Sequence, residues 1–159
     1  MFKSIVWATD GSKEAEQAMR YVVDLAQRED AVVTIAHVVE RIEAGGATGP
    51  PRRADEADVQ ANLRRLTNRL EKQGVEASLQ ICGEVGVKPA PEIAKIARES
   101  GADLIVVGTR GHSAVAGVLL GSVAYRLLHL APCPVLAVPP DAKRRRRRTP
   151  ARRTASRKG

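Results

Sequence analysis

The sequence predicts an α/β fold: a three-layer, doubly wound sheet of five parallel strands with helices on both faces. Short β-rich apolar runs alternate along the 159 residues with segments whose apolar residues recur at helical spacing. The alternation ends on a fifth β-rich run, and parallel strands joined by crossover helices produce this order. The length suits one domain of ordinary size.

The first half of the chain contains two predicted strands. The first covers residues 5–8, and residues 9–12 then supply turn and helix-cap residue types. Apolar residues recur at helical spacing through residues 13–28, and residues 31–39 form the second β-rich run. The next segment, residues 40–53, contains several glycines and prolines and is long for a connection in a compact domain. We therefore expect this loop to be mobile or functional.

The middle of the chain repeats the pattern once more. Residues 59–70 have helical periodicity, and Gly74 fits the stop of that helix. Residues 75–81 alternate apolar and polar side chains, which indicates a strand with a more exposed face. Pro89 and Pro91 suit the first turn of a third helix, where a missing N–H costs little.

The last part of the chain predicts two further strands around one helix. Residues 103–107 form the fourth strand, and residues 134–138 form the fifth, which Pro139 and Pro140 end. The helix between them begins at residues 121–122. Its apolar positions are Ala124, Leu127 and Leu128.

A glycine loop joins the fourth strand to this last helix. It reads Gly-Thr-Arg-Gly over residues 108–111, followed after nine residues by Gly121-Ser122. Glycines let backbone N–H groups approach a bound group closely, and a helix N-terminus offers unpaired donors. Ligands of doubly wound sheets bind at the carboxyl ends of strands, so residues 10–12 and 37–39 should meet the loop there. The spacing Gly-x2-Gly-x9-Gly-Ser therefore predicts a phosphate-binding site.

Composition excludes several classes of protein. Hydrophobic residues make up 43% of the chain, too many for a disordered chain. No apolar run approaches the roughly 20 residues of a membrane helix, and the N-terminal residues lack the features of a signal peptide, so we expect a cytoplasmic protein. Cys82 and Cys133 form no disulfide framework and are expected to be buried or half-buried thiols. No pair of cysteines or histidines has metal-site spacing.

Charge divides the chain into two parts. The net charge is +8, but residues 141–159 carry +9 and residues 1–140 carry −1. We therefore predict a nearly neutral folded domain over residues 1–140 and a basic, low-complexity, disordered tail. The tail is read either as a solvated extension or as an electrostatic arm for DNA, RNA or an anionic membrane. It contains no aromatic residue, so base stacking is not expected.

Together these features resemble the universal stress protein family, specifically its ATP-binding branch, over residues 3–139. A lone pair of glycines would be weak evidence, whereas the complete loop between a strand and a helix is specific. Four stretches carry the resemblance: Ala-Thr-Asp-Gly-Ser over residues 8–12, His37-Val38, Leu-Ile-Val-Val-Gly-Thr-Arg-Gly over residues 104–111 with the completed glycine loop, and Pro-Cys-Pro-Val-Leu-Ala-Val over residues 132–138.

The resemblance implies a Rossmann-like fold of the adenine-nucleotide-binding type and a set of site residues. In the family, the residue matching Asp10 lies beside the nucleotide, and the residue matching Val38 contacts adenine through its backbone. The family's last strand usually pairs two subunits into a homodimer, and residues 135–138 would supply that edge here. The implied cofactor is ATP with Mg²⁺. The matching phosphate-binding residues are Gly108, Gly111, Gly121 and Ser122, with a backbone N–H from Val123.

Several of these residues also have simpler interpretations. Each glycine taken alone is typical of a turn or a cap, and Asp10 suits a helix cap or a turn as well as a ribose or a metal ion. Arg110 and His112 could reach a phosphate, although exposed loop positions are usually solvated. His37 is expected to pack at the end of its strand, and His129 to lie in the last turn of a helix.

Three functional hypotheses follow. The first is an ATP-binding stress-response regulator. The second is a nucleic-acid-associated protein whose basic tail binds DNA or RNA while the core serves as a dimerising scaffold. The third is an enzyme that activates a substrate with ATP. The sequence contains no P-loop lysine motif and suggests no nucleophile–base pair, which favours binding over catalysis, with at most slow ATP hydrolysis.

Overall fold

The computed structural model describes residues 1–41, 51, 53–111 and 120–140. Most of the long loop, the central part of the glycine loop with His112, and the basic tail over residues 141–159 lie outside this part of the chain. No helix in these ranges is both long enough and apolar enough to cross a membrane.

Five strands and five helices alternate along these residues. The strands are β1 Ser4–Ala8, β2 Val32–Val38, β3 Ala77–Cys82, β4 Leu104–Gly108 and β5 Val135–Val138. The helices are α1 Lys13–Glu16, α2 Met19–Glu29, α3 Glu56–Lys72, α4 Pro89–Glu99 and α5 Ser122–Leu130.

The strands form one parallel sheet in the order β3-β2-β1-β4-β5. The chain builds outward from β1 to β3 on one side and then crosses back to β4 and β5 on the other. The reversal of strand order lies between β1 and β4, which is where doubly wound sheets open a crevice for ligands. The predicted α/β fold with five parallel strands is confirmed.

Two apolar layers cover the sheet. On one face, α2 and α3 pack over side chains that include Trp7, Ile35 and Val106. On the other face, α4 and α5 pack over alternate residues of the same strands, including Val6 and Ile105. Because successive strand residues point to opposite faces, near-continuous apolar strands are required to fill both layers.

β1 is the most deeply buried strand. Ile5, Val6 and Trp7 have no exposed surface, and Trp7 is the only tryptophan of the chain. Its indole Nε1 is buried and has no hydrogen-bond partner among the described residues. This donor lies in an apolar layer, where an unpaired N–H is energetically unfavourable.

The predicted helix over residues 13–28 is interrupted at Gln17 and Ala18. Ser12 caps α1 by accepting the Ala15 N–H at its Oγ, at 3.2 Å. The Ala18 N–H then donates to the Ala15 carbonyl at 3.1 Å, a bond of three-residue rather than four-residue span. The apolar spacing correctly predicted helical structure in this segment. It could not predict the interruption, because a change from four-residue to three-residue hydrogen bonds leaves the apolar stripe continuous.

Other boundaries agree with the sequence within about three residues, as expected for helix and strand ends. Gly74 follows α3 with φ of +77°, a conformation that favours glycine. β3 is an edge strand whose residues alternate between more and less exposed positions, as predicted. His129 lies in the last turn of α5.

Neighbouring leucines on α5 provide a test of the packing. Leu127 is fully buried, whereas Leu128 is 54% exposed. We expect Leu127→Ala to lower the free energy of unfolding by about 2–5 kcal/mol, because it leaves a cavity in the layer below α4 and α5. Leu128→Ala, the matched control, should change it by about 0.5 kcal/mol or less. Chemical denaturation measures both, and equal effects would contradict the orientation of α5.

Candidate functional site

A cavity of about 590 Å³ opens at the carboxyl ends of β1, β2 and β4. This volume lies in the usual range for small-molecule sites. The cavity is lined by all seven residues that the sequence predicted for a site, namely Asp10, Val38, Gly108, Gly111, Gly121, Ser122 and Val123. The fold therefore brings four separated segments of the chain to one place.

The turn after β1 forms the floor beside the sheet. The Gly11 N–H donates to Thr9 Oγ1 at 3.1 Å, and the Ser12 N–H donates to Asp10 Oδ1 at 3.0 Å. Gly11 has φ of +71°, and a Cβ at this position would collide with Val59 on α3. Asp10 therefore has the turn-stabilising role that the sequence allowed, while it also lines the cavity.

The glycine loop packs against that turn. A Cβ on Gly111 would collide with Asp10 Oδ2, and one on Gly108 would lie 3.2 Å from the Ala15 Cα. The Gly121 N–H donates to the Thr109 carbonyl at 2.7 Å, which closes the base of the loop. Contacts within the protein thus favour glycine at these positions, independently of any ligand.

α5 points its N-terminus into the cavity. Gly121 is the N-cap, with φ of −68° and ψ of 158°, and no side chain among the described residues caps it. The backbone N–H groups of the first turn have no partner within an α-helix, and they carry the positive end of its dipole. Ser122 and Val123, the first two helical residues, present this turn to the cavity.

The opposite wall is apolar. It comes from strand ends and from the first two turns of α4, so it combines both neighbours of β1 with a helix that covers them. Such a wall can accommodate a flat, weakly polar ring system. Its members are Ala8, Ala36, Val38, Pro89, Ile93 and Val107.

Arg53 is a lining residue that the sequence analysis did not single out. Its Nη1 donates to the Asp10 carbonyl at 2.7 Å, and its Nε and Nη2 donate to the two Asp55 carboxylate oxygens at 3.1 and 3.0 Å. The hydrogen bond to Asp55 outweighs partial burial and raises the pKa of Arg53 above its ordinary value. A permanent positive charge is therefore fixed beside the turn after β1.

His37 and Glu56 form a buried polar pair at the same edge. His37 is 2% exposed and Glu56 is 6% exposed. His37 Nδ1 lies 3.0 Å from the Thr9 carbonyl, and Nε2 lies 2.8 Å from Glu56 Oε1. The expectation that His37 packs at the end of its strand is confirmed. Its partner was missed, because Glu56 belongs to a helix that begins 19 residues later.

Few other groups in the described ranges offer reactive chemistry. Cys82 and Cys133 are half-buried, as expected, and burial raises the pKa of both thiols, which keeps them protonated at neutral pH. Within residues 1–41, 51, 53–111 and 120–140, no group of three or more histidine, cysteine, aspartate or glutamate side chains could hold a metal ion. Arg110 lines the cavity, and His112 lies outside the described residues.

Sequence comparison finds relatives that match most of the chain. A family model described as "Universal stress protein family" matches residues 1–139. Universal stress protein YxiE of Bacillus subtilis is 36% identical over 151 residues, which cover 87% of this chain and 99% of the relative. Universal stress protein MJ0531 of Methanocaldococcus jannaschii is 34% identical over 143 residues, which cover 87% of this chain and 82% of the relative.

Structure comparison finds the same fold in solved proteins. A universal stress protein from Archaeoglobus fulgidus has a TM-score of 0.69 at 24% identity, covering 87% of this chain and 99% of that one. One from Archaeoglobus fulgidus in complex with dAMP has a TM-score of 0.63 at 27% identity, with coverage of 86% and 97%. A universal stress protein in complex with cAMP has a TM-score of 0.60 at 28% identity, with coverage of 86% and 96%.

Proposed function

Since this chain belongs to the universal stress protein family, we propose that it binds ATP in the cavity at the ends of β1, β2 and β4. We propose further that the bound nucleotide tunes a stress response. The observation that carries the proposal is the convergence of all seven sequence-predicted residues on one cavity. The dAMP and cAMP complexes of the similar proteins support an adenine nucleotide as the ligand.

In this proposal the adenine ring lies against the apolar wall. Val38 ends β2 at this wall, and its backbone would contact the edge of the ring. Ile93 and Pro89 from α4 and Val107 from β4 would exclude water from the two ring faces. Burial of a flat apolar surface supplies affinity, and a few backbone groups supply selectivity.

The phosphates would lie at the glycine loop and the first turn of α5. Gly108, Gly111 and Gly121 keep this region free of Cβ atoms, and Ser122 and Val123 offer N–H groups at the positive end of the helix dipole. Arg53 and Arg110 add positive charge to the lining. Asp10 lies beside the loop, where its carboxylate suits a ribose hydroxyl or a Mg²⁺ ion carried by the phosphates.

We propose binding rather than turnover as the activity. Phosphoryl transfer to water needs a group that orients the attacking water in line with the terminal phosphate. Four of the polar side chains that line the cavity, those of Asp10, His37, Arg53 and Glu56, already have hydrogen-bonded or turn-stabilising roles. Hydrolysis would therefore be slow at most. The cytoplasmic location and the Mg²⁺ ion remain predictions from the sequence.

The first test is calorimetric titration of the full chain with ATP. We expect a dissociation constant in the micromolar class, which corresponds to a binding free energy on the order of −8 kcal/mol. Gly121→Val should weaken binding by at least about tenfold, or ~1.4 kcal/mol, because its methyl groups enter the space beside the Thr109 carbonyl and the helix N-terminus. Gly121→Ala adds only a Cβ, 3.2 Å from that carbonyl, and should have a smaller effect.

Thermal unfolding of both variants controls for loss of structure. The backbone angles of Gly121 are accessible to any residue, so both variants should fold. Unchanged ATP affinity in a folded Gly121→Val protein would disprove the phosphate site, and a wild-type chain that ignores ATP would disprove the function.

We also propose a homodimer paired through β5. β5 is an edge strand, and the Ile105 and Thr109 N–H groups of the β4 side donate to the Pro134 and Val138 carbonyls. Alternation along a strand then turns the backbone groups of Val135 and Ala137 outward, toward the open edge. An unpaired edge of this kind is a template for a second copy of the chain.

A proline at the open edge tests this pairing. Ala137→Pro removes an outward N–H while leaving the β4–β5 bonds in place, and edge strands tolerate proline. We expect sedimentation velocity to show a dimer for the wild type and for the control Ala137→Val, and a shift toward monomer for Ala137→Pro. A monomeric wild type, or an Ala137→Pro dimer of unchanged stability, would contradict the proposal.

The charge division supports a second candidate function, polyanion binding by residues 141–159. The tail carries +9, whereas the rest of the chain carries −1. Binding through phosphate neutralisation should weaken steeply with salt and show little sequence preference. We expect truncation after Pro140 to abolish the binding of a duplex DNA oligonucleotide in an anisotropy titration while ATP binding persists. Equal DNA affinity of the truncated and full chains would exclude this role for the tail.

A further inference from the structure

We propose that His37 is a positioning residue for adenine recognition. Its ring forms a hydrogen bond with the Thr9 carbonyl oxygen, and the Val38 backbone N–H is thereby left free to point into the cavity. This inference rests on the proposed function, since it concerns the base-binding end of the same cavity. His37 need not touch the nucleotide. It acts through the hydrogen-bond pattern at the end of β1.

The pairing of β1 with β2 defines which bond His37 replaces. The last paired residues are Ala8 and Ala36, and the Thr9 N–H donates to the Ala36 carbonyl at 3.1 Å. In a regular parallel ladder, the next bond would run from the Val38 N–H to the Thr9 carbonyl. Among the described residues, no backbone hydrogen bond joins Val38 to Thr9. His37 Nδ1 lies 3.0 Å from that carbonyl instead.

The other side of β2 confirms the direction of the Val38 backbone. The Val39 N–H donates to the Cys82 carbonyl at 2.7 Å, toward β3. Because N–H and C=O groups of successive strand residues point to opposite sides, those of Val38 point away from β3, toward the side where β1 has ended. Val38 lines the cavity at this position.

The position of the His37 ring is held at both nitrogens. A carbonyl oxygen can only accept a hydrogen bond, so Nδ1 carries a proton and donates to Thr9. Nε2 contacts Glu56 Oε1 at 2.8 Å, and the Gln60 amide donates to the same oxygen at 2.9 Å. Because His37 and Glu56 are both buried, water does not compete for these bonds. The hydrogen bond from the His37 ring to the Thr9 carbonyl is therefore stable.

This arrangement determines which base fits. Adenine presents a ring acceptor next to an exocyclic amino donor, which complements the N–H and C=O of one residue. Hypoxanthine presents the reverse order, a ring N–H next to a carbonyl oxygen. Because the Val38 N–H makes no hydrogen bond to the Thr9 carbonyl, the site should bind ATP more tightly than ITP. If the Val38 N–H instead donated to the Thr9 carbonyl, it could no longer donate to the base, and the preference for ATP over ITP would fall.

The experiment compares ATP and ITP binding by calorimetry in the full chain. We expect the wild type to bind ATP roughly tenfold more tightly than ITP, which is about the contribution of one well-formed hydrogen bond. His37→Leu, which removes the donor to Thr9, should bring the two affinities to within about twofold. His37→Asn should keep most of the preference, because its amide nitrogen can occupy the place of Nδ1. A purely structural role would weaken both nucleotides equally and leave their ratio unchanged.

Amide hydrogen exchange supplies a readout that needs no nucleotide. In the nucleotide-free wild type, the Val38 N–H should exchange faster than the Val39 N–H, which is bonded to Cys82. In His37→Leu the Val38 N–H should become protected as it takes the Thr9 carbonyl. If the leucine variant does not fold because Glu56 loses its partner, the wild-type exchange rates of the Val38 and Val39 N–H groups decide the question.

The outcomes separate the two proposals. A wild type that binds neither nucleotide overturns the proposed function, and the adenine role of His37 with it. A wild type that binds ATP, together with an unchanged ratio in a folded His37→Leu protein, overturns the inference alone. Val38 protection equal to that of Val39 in the nucleotide-free wild type also overturns it.

Discussion

The central strand of the sheet ends before both of its neighbours. β1 pairs with β2 and with β4 only as far as Ala8, whereas β2 continues to Val38 and β4 to Gly108. The two flanking strands are therefore separated by two strand spacings, roughly 9–10 Å, beyond the end of β1. The cavity lies in the space between β2 and β4 that a longer β1 would fill. Everything that lines it, from the turn at Asp10 to the start of α5, is arranged around the gap.

The residues at the gap hold one another in place before any ligand is considered. A Cβ on Gly111 would displace the Asp10 carboxylate, and Asp10 in turn accepts the Ser12 N–H. Arg53 connects the end of the long loop to the Asp10 carbonyl. Contacts of this kind preorganise these residues, so they would lose little conformational entropy on binding a ligand.

Features encoded by local sequence could be predicted, and features that depend on distant partners could not. The strands and the cap at Ser12 each depend on neighbouring residues, so periodicity and residue type were sufficient to predict them. The His37–Glu56 pair depends on how α3 docks on the sheet, and the bond from Arg53 to Asp10 spans 43 residues. Leu127 and Leu128 are chemically identical neighbours, and only the rotation of α5 against α4 decides which of them is buried.

Because Trp7 is buried, its fluorescence reports on the centre of the sheet. This indole is the chain's only one and is sealed in the apolar layer under α2 and α3. Its emission should therefore lie toward short wavelengths while the sheet is intact and move toward the red when water enters. No residue outside the described ranges is a tryptophan, so this intrinsic fluorescence reports on the described part of the chain alone.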